Sequence, residues 1–146
     1  MRCLGIDYGE RRIGLSFGDE IGVATPLPAL TEVSVAERFA KMTEIIHQRK
    51  ITDLVVGYPY NMDGSIGFKA KEVDLFIEKL WSLFQLPTHR IDERLTSDEA
   101  SKHLKKGRDD EFRRSGKLDS MSACLILQDF LDQRNDFLNF NEGGAE

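Results

Sequence analysis

Cysteine is scarce in this chain, and the two that occur, Cys3 and Cys124, sit inside apolar runs with no CxxC or Cys/His spacing. That excludes a disulfide scaffold, a zinc finger and a dithiol redox pair. Both thiols are expected in the core of a protein kept in a reducing compartment. Histidine is as thin: His47, His89 and His103 stand far apart, with no HxH or HxxxH relation. No run approaches the eighteen or so apolar residues of a membrane span, and the amino terminus leads into a strand-like segment rather than a secretory signal. The expectation is a cytoplasmic protein with no membrane contact. No internal repeat is present.

Positive charge is also in short supply overall. The formal net charge is −5, which averaged over a surface argues against a polyanionic partner. Its distribution argues the other way. Between residues 102 and 117 lie Lys102, Lys105, Lys106, Arg108, Arg113, Arg114 and Lys117 against three acids, a local +4 that leaves the remainder at −9. Such a stretch is either a solvated loop or a grip on a phosphate backbone. At 146 residues and 40% hydrophobic content the chain fills one ordinary core. A single domain is expected over residues 1–133. The polar residues 134–146, ending in Glu-Gly-Gly-Ala-Glu, are expected to form a flexible tail.

Periodicity supplies the elements. Residues 2–7 read as a buried strand, followed by a turn at Tyr8-Gly9-Glu10 and a returning strand from about Arg12 to Phe17. A third strand is predicted from Gly22 to Leu30, confined to a sheet edge by Pro26 and Pro28. Ser34-Val35-Ala36-Glu37 is a capping box opening a helix whose apolar stripe is Val35, Phe39, Met42 and Ile46. Asp53 to Gly57 is apolar enough for a central parallel strand. A second helix repeats at Ala70, Val73, Ile77, Leu80 and Phe84 until Pro87 stops it, and Thr88 to Ile91 makes a short strand. Thr96-Ser97-Asp98-Glu99 opens a third helix to about Lys106, and a buried closing helix starts near Lys117. The sum is an α/β sheet whose opening strands are antiparallel and whose later ones are parallel.

In such sheets the reactive site lies beyond the carboxyl ends of the parallel strands. Acids stand there: Asp7 after the first strand, Asp92-Glu93 after the last, and Asp119 in the first turn of the closing helix. Each alone has a plain explanation as a turn or helix-start residue. Gathered, three carboxylates repel one another unless cations sit among them, and an oxygen-only set suits magnesium or manganese. Three carboxylates and one phosphodiester are balanced by two divalent ions, the electrostatic arrangement of two-metal phosphodiester hydrolysis.

Four segments carry a family resemblance: Leu4-Gly5-Ile6-Asp7-Tyr8-Gly9-Glu10-Arg11-Arg12-Ile13-Gly14; Val56-Gly57-Tyr58-Pro59-Tyr60-Asn61-Met62-Asp63-Gly64-Ser65 with Gly67; Asp92-Glu93-Arg94-Leu95-Thr96-Ser97 with Glu99-Ala100; and Lys117-Leu118-Asp119-Ser120-Met121-Ser122-Ala123 with Ile126-Leu127. In this order, across residues 2 to 132, they resemble the motifs of the bacterial YqgF family, relatives of the Holliday-junction resolvase RuvC. The family is described as a resolvase or as a nuclease maturing precursor small-subunit rRNA. The resemblance implies an RNase H-like three-layer fold. Its five-stranded mixed sheet has the order 3-2-1-4-5, with helices on both faces. It also implies catalytic and metal-holding acids at Asp7, Glu93 and Asp119. Two features depart from pattern. Tyr58 and Tyr60 replace leucines around the proline, which admits base stacking or plain packing. In resolvase relatives the second acid follows the fourth strand, but here that place is Gly57-Tyr58-Pro59, so the acid comes from the fifth. Two strand spacings put it roughly 10 Å from Asp7, and alternation along the strand favours Glu93 over Asp92.

The implied chemistry is hydrolysis of nucleic acid with two Mg²⁺ or Mn²⁺ ions. Arg11, Arg12, Asn61, Arg94, Lys105, Lys106, Arg108, Arg113, Arg114 and Lys117 are expected to contact the strand. Precursor 16S rRNA is the favoured substrate and a four-way DNA junction the alternative, with the protein acting as a monomer or a homodimer. A phosphotransferase of the actin and sugar-kinase type shares the Gly5-Ile6-Asp7-Tyr8-Gly9 loop but needs two such domains around ATP. A non-catalytic nucleic-acid-binding module is the remaining reading.

Overall fold

The computed structural model describes residues 1–60, 67–92 and 116–144. Strand β1 (Arg2–Asp7) is the apolar run at the amino terminus. It pairs antiparallel with β2 (Ile13–Asp19), which pairs antiparallel with β3 (Thr25–Leu30). On its other side β1 pairs in parallel with β4 (Asp53–Tyr58), and β4 with β5 (Thr88–Asp92). The resulting order is β3-β2-β1-β4-β5, the expected one. Helices α1 (Val35–Arg49) and α2 (Phe68–Phe84) cover one face. A short 3₁₀ turn (Leu118–Ser120) leads into the closing helix α3 (Met121–Gly144) on the other.

Alternation along the strands sorts the core between these faces. Leu4, Ile6, Leu54 and Val56 pack with Met42, Ile46, Val73 and Leu80 of α1 and α2. Cys3, Val55 and Ile91 point the other way, onto Ile126, Leu127 and Leu131 of α3. Among the described residues no helix is long and apolar enough to cross a membrane.

Four details differ from the sequence-based reading. β3 begins at Thr25 rather than Gly22, because the preceding backbone is bound to α3: Gln128 Nε2 donates to the Gly22 carbonyl at 2.9 Å and its Oε1 accepts from Ala24 N–H at 2.9 Å. In α1, Ser34 caps as expected, accepting from Glu37 N–H at 3.4 Å. Val35, however, is exposed, and the inward stripe is Arg38, Met42 and Ile46. Arg38 can be buried because its guanidinium donates to the carbonyls of Glu32 at 2.6 Å and Glu10 at 2.7 Å. α2 turns Phe76 into the core, with Ile77 half-buried beside it. Finally, α3 continues past Gln133 to Gly144, so residues 134–144 are helical where composition pointed to a loose tail. No proline or glycine interrupts the chain between Gln133 and Gly143, and the helix runs until the Gly-Gly pair. The helix expected over residues 96–106 lies outside the described residues.

The α3 face of β1 and β2 is nearly bare of side chains. Gly5 pairs with Ser16, Asp7 with Gly14 and Cys3 with Gly18. A Cβ on Gly5 would stand 2.2 Å from Ser16 Oγ, 2.8 Å from Leu127 Cβ and 3.0 Å from the Ala123 carbonyl. Gly18 is similarly closed off by Leu131 at 2.8 Å. Ser16, fully buried, donates from Oγ to the Ala123 carbonyl at 2.7 Å and so fixes the helix at that depth. The expected outcome for Gly5→Ala is a loss of roughly 1–3 kcal/mol, the usual cost of overpacking a filled site. It is read as a lower urea midpoint with an unchanged m-value.

Candidate active site

Asp7 is the last residue of β1, and its partner across the ladder is Gly14. Asp119 lies in the 3₁₀ turn that introduces α3. The missing side chain of Gly14 brings the two acids together. A Cβ there would lie 2.8 Å from the Asp119 carbonyl oxygen and 3.5 Å from Asp7 Cβ, so both residues border the same point. The turn is held in place by Ser120. Its buried Oγ accepts from Leu15 N–H at 2.9 Å, where the β2–β3 register shifts, and its own N–H donates to the Lys117 carbonyl at 3.0 Å. A buried backbone N–H left unpaired costs about 1–3 kcal/mol, so this bond ties the start of α3 to the sheet at the level of Asp7.

The electrostatics of the pair are unequal. Burial pushes the Asp7 carboxyl above its ordinary pKa, and Lys69, in the first turn of α2, partly offsets the shift. Asp119 is compensated directly: Arg12 Nη1 donates to its Oδ1 at 2.7 Å. Both partners keep solvent access, with 57% of the Arg12 side chain and 34% of the Asp119 side chain exposed. An ion pair that wet contributes little to stability and exchanges readily.

Of the residues singled out from sequence, Asp7, Asp119 and Arg12 are brought together. Arg12 faces a site carboxylate, a partner that the sequence did not reveal. Arg11 is exposed in the adjoining turn, and Lys117 is exposed at the entry to the 3₁₀ turn. Glu93, Asn61, Arg94, Lys105, Lys106, Arg108, Arg113 and Arg114 lie outside the described residues. Asp92 closes β5 opposite Tyr58, a residue of the α1/α2 face, whereas Ile91 packs on the α3 face. Alternation therefore directs Asp92 away from Asp7. Tyr58 is a packing residue: it is buried, donates from its hydroxyl to Asp74 Oδ2 at 2.9 Å, and lies under the Arg90 guanidinium at 5.2 Å. Tyr60, half-buried, has its ring 4.6 Å from that of Tyr58.

Sequence reasoning missed Lys69, and it named Gly14 and Ser120 only within family motifs, without a role. Lys69 left a faint signal, since a cation in a helix's first turn opposes the helix dipole. Here that turn has no acidic residue, and Gly67 supplies no side-chain cap. The first turn of α2 thus carries uncompensated positive charge, and the Lys69 ammonium acts on Asp7.

Among the described residues no group of three His, Cys, Asp or Glu side chains is close enough to hold a metal ion. Asp7 and Asp119 supply oxygen donors alone, and the Asp7 charge is disfavoured by burial. Such a pair fits a hard divalent cation.

The family model RuvX, described as Holliday junction resolvase, matches residues 1–133. A relative from Opitutus terrae is 55% identical over 135 residues, 92% of this chain and 93% of its own length. One from Crocosphaera subtropica is 41% identical over 133 residues, 90% and 93% of the two lengths. Both carry the provisional name pre-16S rRNA nuclease. In three dimensions the chain is similar to Thermus thermophilus RuvC in complex with a Holliday junction substrate, at a TM-score of 0.57 and 14% identity over 93% of this chain and 96% of the other. It is also similar to the fowlpox virus resolvase with Holliday junction DNA, at 0.52 and 8% over 91% and 98%. Similarities at these identities concern the fold.

The Asp7 shift has a thermodynamic consequence. The folded state binds the Asp7 proton more tightly than the unfolded chain does. Between the two pKa values the native protein therefore holds more protons, and stability falls as pH rises from the unfolded value near 3.8. Asp7→Asn removes this cost. In chelator-treated protein the variant is expected to be more stable than wild type at neutral pH, with the difference vanishing below pH about 3.8. Urea unfolding across that range measures it.

Proposed function

This chain belongs to the RuvX family, and from that membership we propose that it is a nuclease hydrolysing phosphodiester bonds in the 5′ end region of precursor 16S rRNA, in the cytoplasm. The observation that carries the reading is the meeting of Asp7 and Asp119 around Gly14, at the carboxyl end of the central strand. The names of the relatives from Opitutus terrae and Crocosphaera subtropica support the choice of substrate. The description of the family model favours the second reading, a resolvase acting on four-way DNA.

Asp7, Asp119 and, from the segment following β5, Glu93 are the residues that would hold divalent ions, Mg²⁺ or Mn²⁺. Bound there, such ions supply the charge that activates water and stabilises the leaving oxygen. The parity of β5 speaks against Asp92, which pairs with Tyr58 on the α1/α2 face, and so favours Glu93 as the acid. The chain's own cations do the rest. Arg12 holds Asp119 in position before substrate arrives and, once that carboxylate is engaged elsewhere, pairs with a phosphate of the strand. Lys69 and the first turn of α2 attract the phosphate next to Asp7. Arg11, Asn61, Arg94, Lys117 and the basic stretch that includes Lys105, Lys106, Arg108, Arg113 and Arg114 fix the backbone farther out, which makes binding salt-sensitive.

The test is cleavage of a labelled precursor carrying the 16S 5′ extension, and of a four-way DNA junction, with Mg²⁺, Mn²⁺ or chelator. The expected result is metal-dependent cutting of the RNA, reduced at least about a hundredfold in Asp7→Asn and Asp119→Asn, on the scale of losing one charge-stabilising group. Cutting of the junction alone would select the second reading. Cutting of neither would overturn both.

A further inference from the structure

Behind the β1–β2 turn, between α1 and α2, lies a cavity of about 310 Å³ that the acid centre does not use. Its wall is aromatic. Tyr8 stacks on Phe76 at 4.5 Å with the rings 26° apart, and Phe39 adjoins Phe76 at 5.9 Å. Two exposed apolar residues form the lips, Val35 on α1 and Leu75 on α2, at 57% and 67% exposure. The remaining lining is Ile13 and four charged residues: Glu10 and Glu72, Arg38, whose guanidinium donates to the Glu32 and Glu10 carbonyls, and Lys79, whose ammonium lies 5.6 Å from the Phe39 ring centroid.

This combination selects among occupants. A phosphate or other anion would meet two carboxylates, and of the two cations Arg38 is already bonded to the Glu32 and Glu10 carbonyls. An aliphatic side chain would fill the volume and leave the carboxylates unused. A nucleobase satisfies both features, because its flat faces stack on aromatic rings and its N–H edges donate to carboxylates. The size lies at the small end of ligand pockets. The position is compatible with the same ligand: Tyr8 follows Asp7 directly, so the cavity opens at the same end of β1 as the acid centre, on the α1/α2 face rather than the α3 face. Resting on the nuclease reading above, we propose that this cavity receives the base of one unpaired nucleotide near the scissile phosphate. The protein thereby takes hold of a single-stranded or unstacked segment rather than continuous duplex.

Neutral nucleosides test this without involving phosphate or bond cleavage. Full-length protein carrying ¹³C-labelled tyrosine and phenylalanine is titrated with adenosine, cytidine and ribose, and the ring signals of Tyr8, Phe39 and Phe76 are followed. Both nucleosides are expected to shift these rings to saturation and ribose to leave them unmoved. Leu75→Glu and Val35→Glu, at exposed lip positions outside the core, are expected to weaken nucleoside binding about tenfold or more, on the scale of one base–aromatic stack. Matching thermal melts would confirm that both variants fold. A single-stranded oligoadenylate should move the same rings, and the same sequence in duplex should not. The proposal is overturned if ribose acts like the nucleosides, if the responding rings lie elsewhere, if neither lip variant matters, or if the single strand leaves these rings unchanged. Cleavage measured on the same preparation reads the nuclease assignment separately, since adenosine binding breaks no bond.

Discussion

The acid centre exists because one helix can lie unusually close to one sheet. Asp7 and Asp119 are 112 positions apart in the chain and belong to different layers. They meet only if the start of α3 reaches the surface of β1 and β2. Gly5, Gly14 and Gly18 remove the side chains that would hold it off, while Ser16 and Ser120 satisfy the polar groups that close approach would otherwise strand. A side chain at Gly14 would push against the carbonyl of Asp119 itself. Packing and the placing of the acids are thus one constraint at this point: the device that buries the sheet face also sets the Asp119 backbone beside Asp7.

That closeness creates an electrostatic imbalance, which the molecule meets locally. Asp7 is disfavoured as an anion by burial, with Lys69 as partial compensation; Asp119 stays wetter and takes Arg12. The two solutions differ in permanence. Lys69 belongs to a helix packed on the sheet, whereas the exposed Arg12–Asp119 pair can open at small cost. On the proposed function, a cation held by these acids would relieve the burial cost of Asp7 and would compete with Arg12 for Asp119, and a guanidinium freed in that way would have a phosphate to bind.

Much of this was legible in the sequence, and the exceptions share a cause. Strands with a strong period, such as residues 2–7 and 53–58, and the order of the sheet followed from apolar patterning and family resemblance. Asp7 and Asp119 followed from their places at a strand end and a helix start. Features set by tertiary contacts did not. Gly22 to Ala24 read as strand, but Gln128 of α3 binds their backbone instead. The stripe of α1 read as Val35, Phe39, Met42 and Ile46, but Arg38 turns inward instead of Val35, its burial satisfied by two carbonyls from the loops before α1. The pairing of Arg12 with Asp119 was not legible, because nothing local reveals a carboxylate more than a hundred residues away. Local composition likewise made residues 134–144 polar tail, when the absence of a helix breaker was the stronger signal.

The measurement that bears most directly on the shared-site account is a crystal soaked with Mn²⁺ and examined by anomalous scattering. The account predicts a peak between the Asp7 and Asp119 carboxylates, within roughly 2.0–2.4 Å of an oxygen from each, with the Arg12 guanidinium displaced from Asp119. A peak that engages neither carboxylate, or density showing Arg12 still bonded to Asp119 beside a Mn²⁺ bound elsewhere, would contradict it.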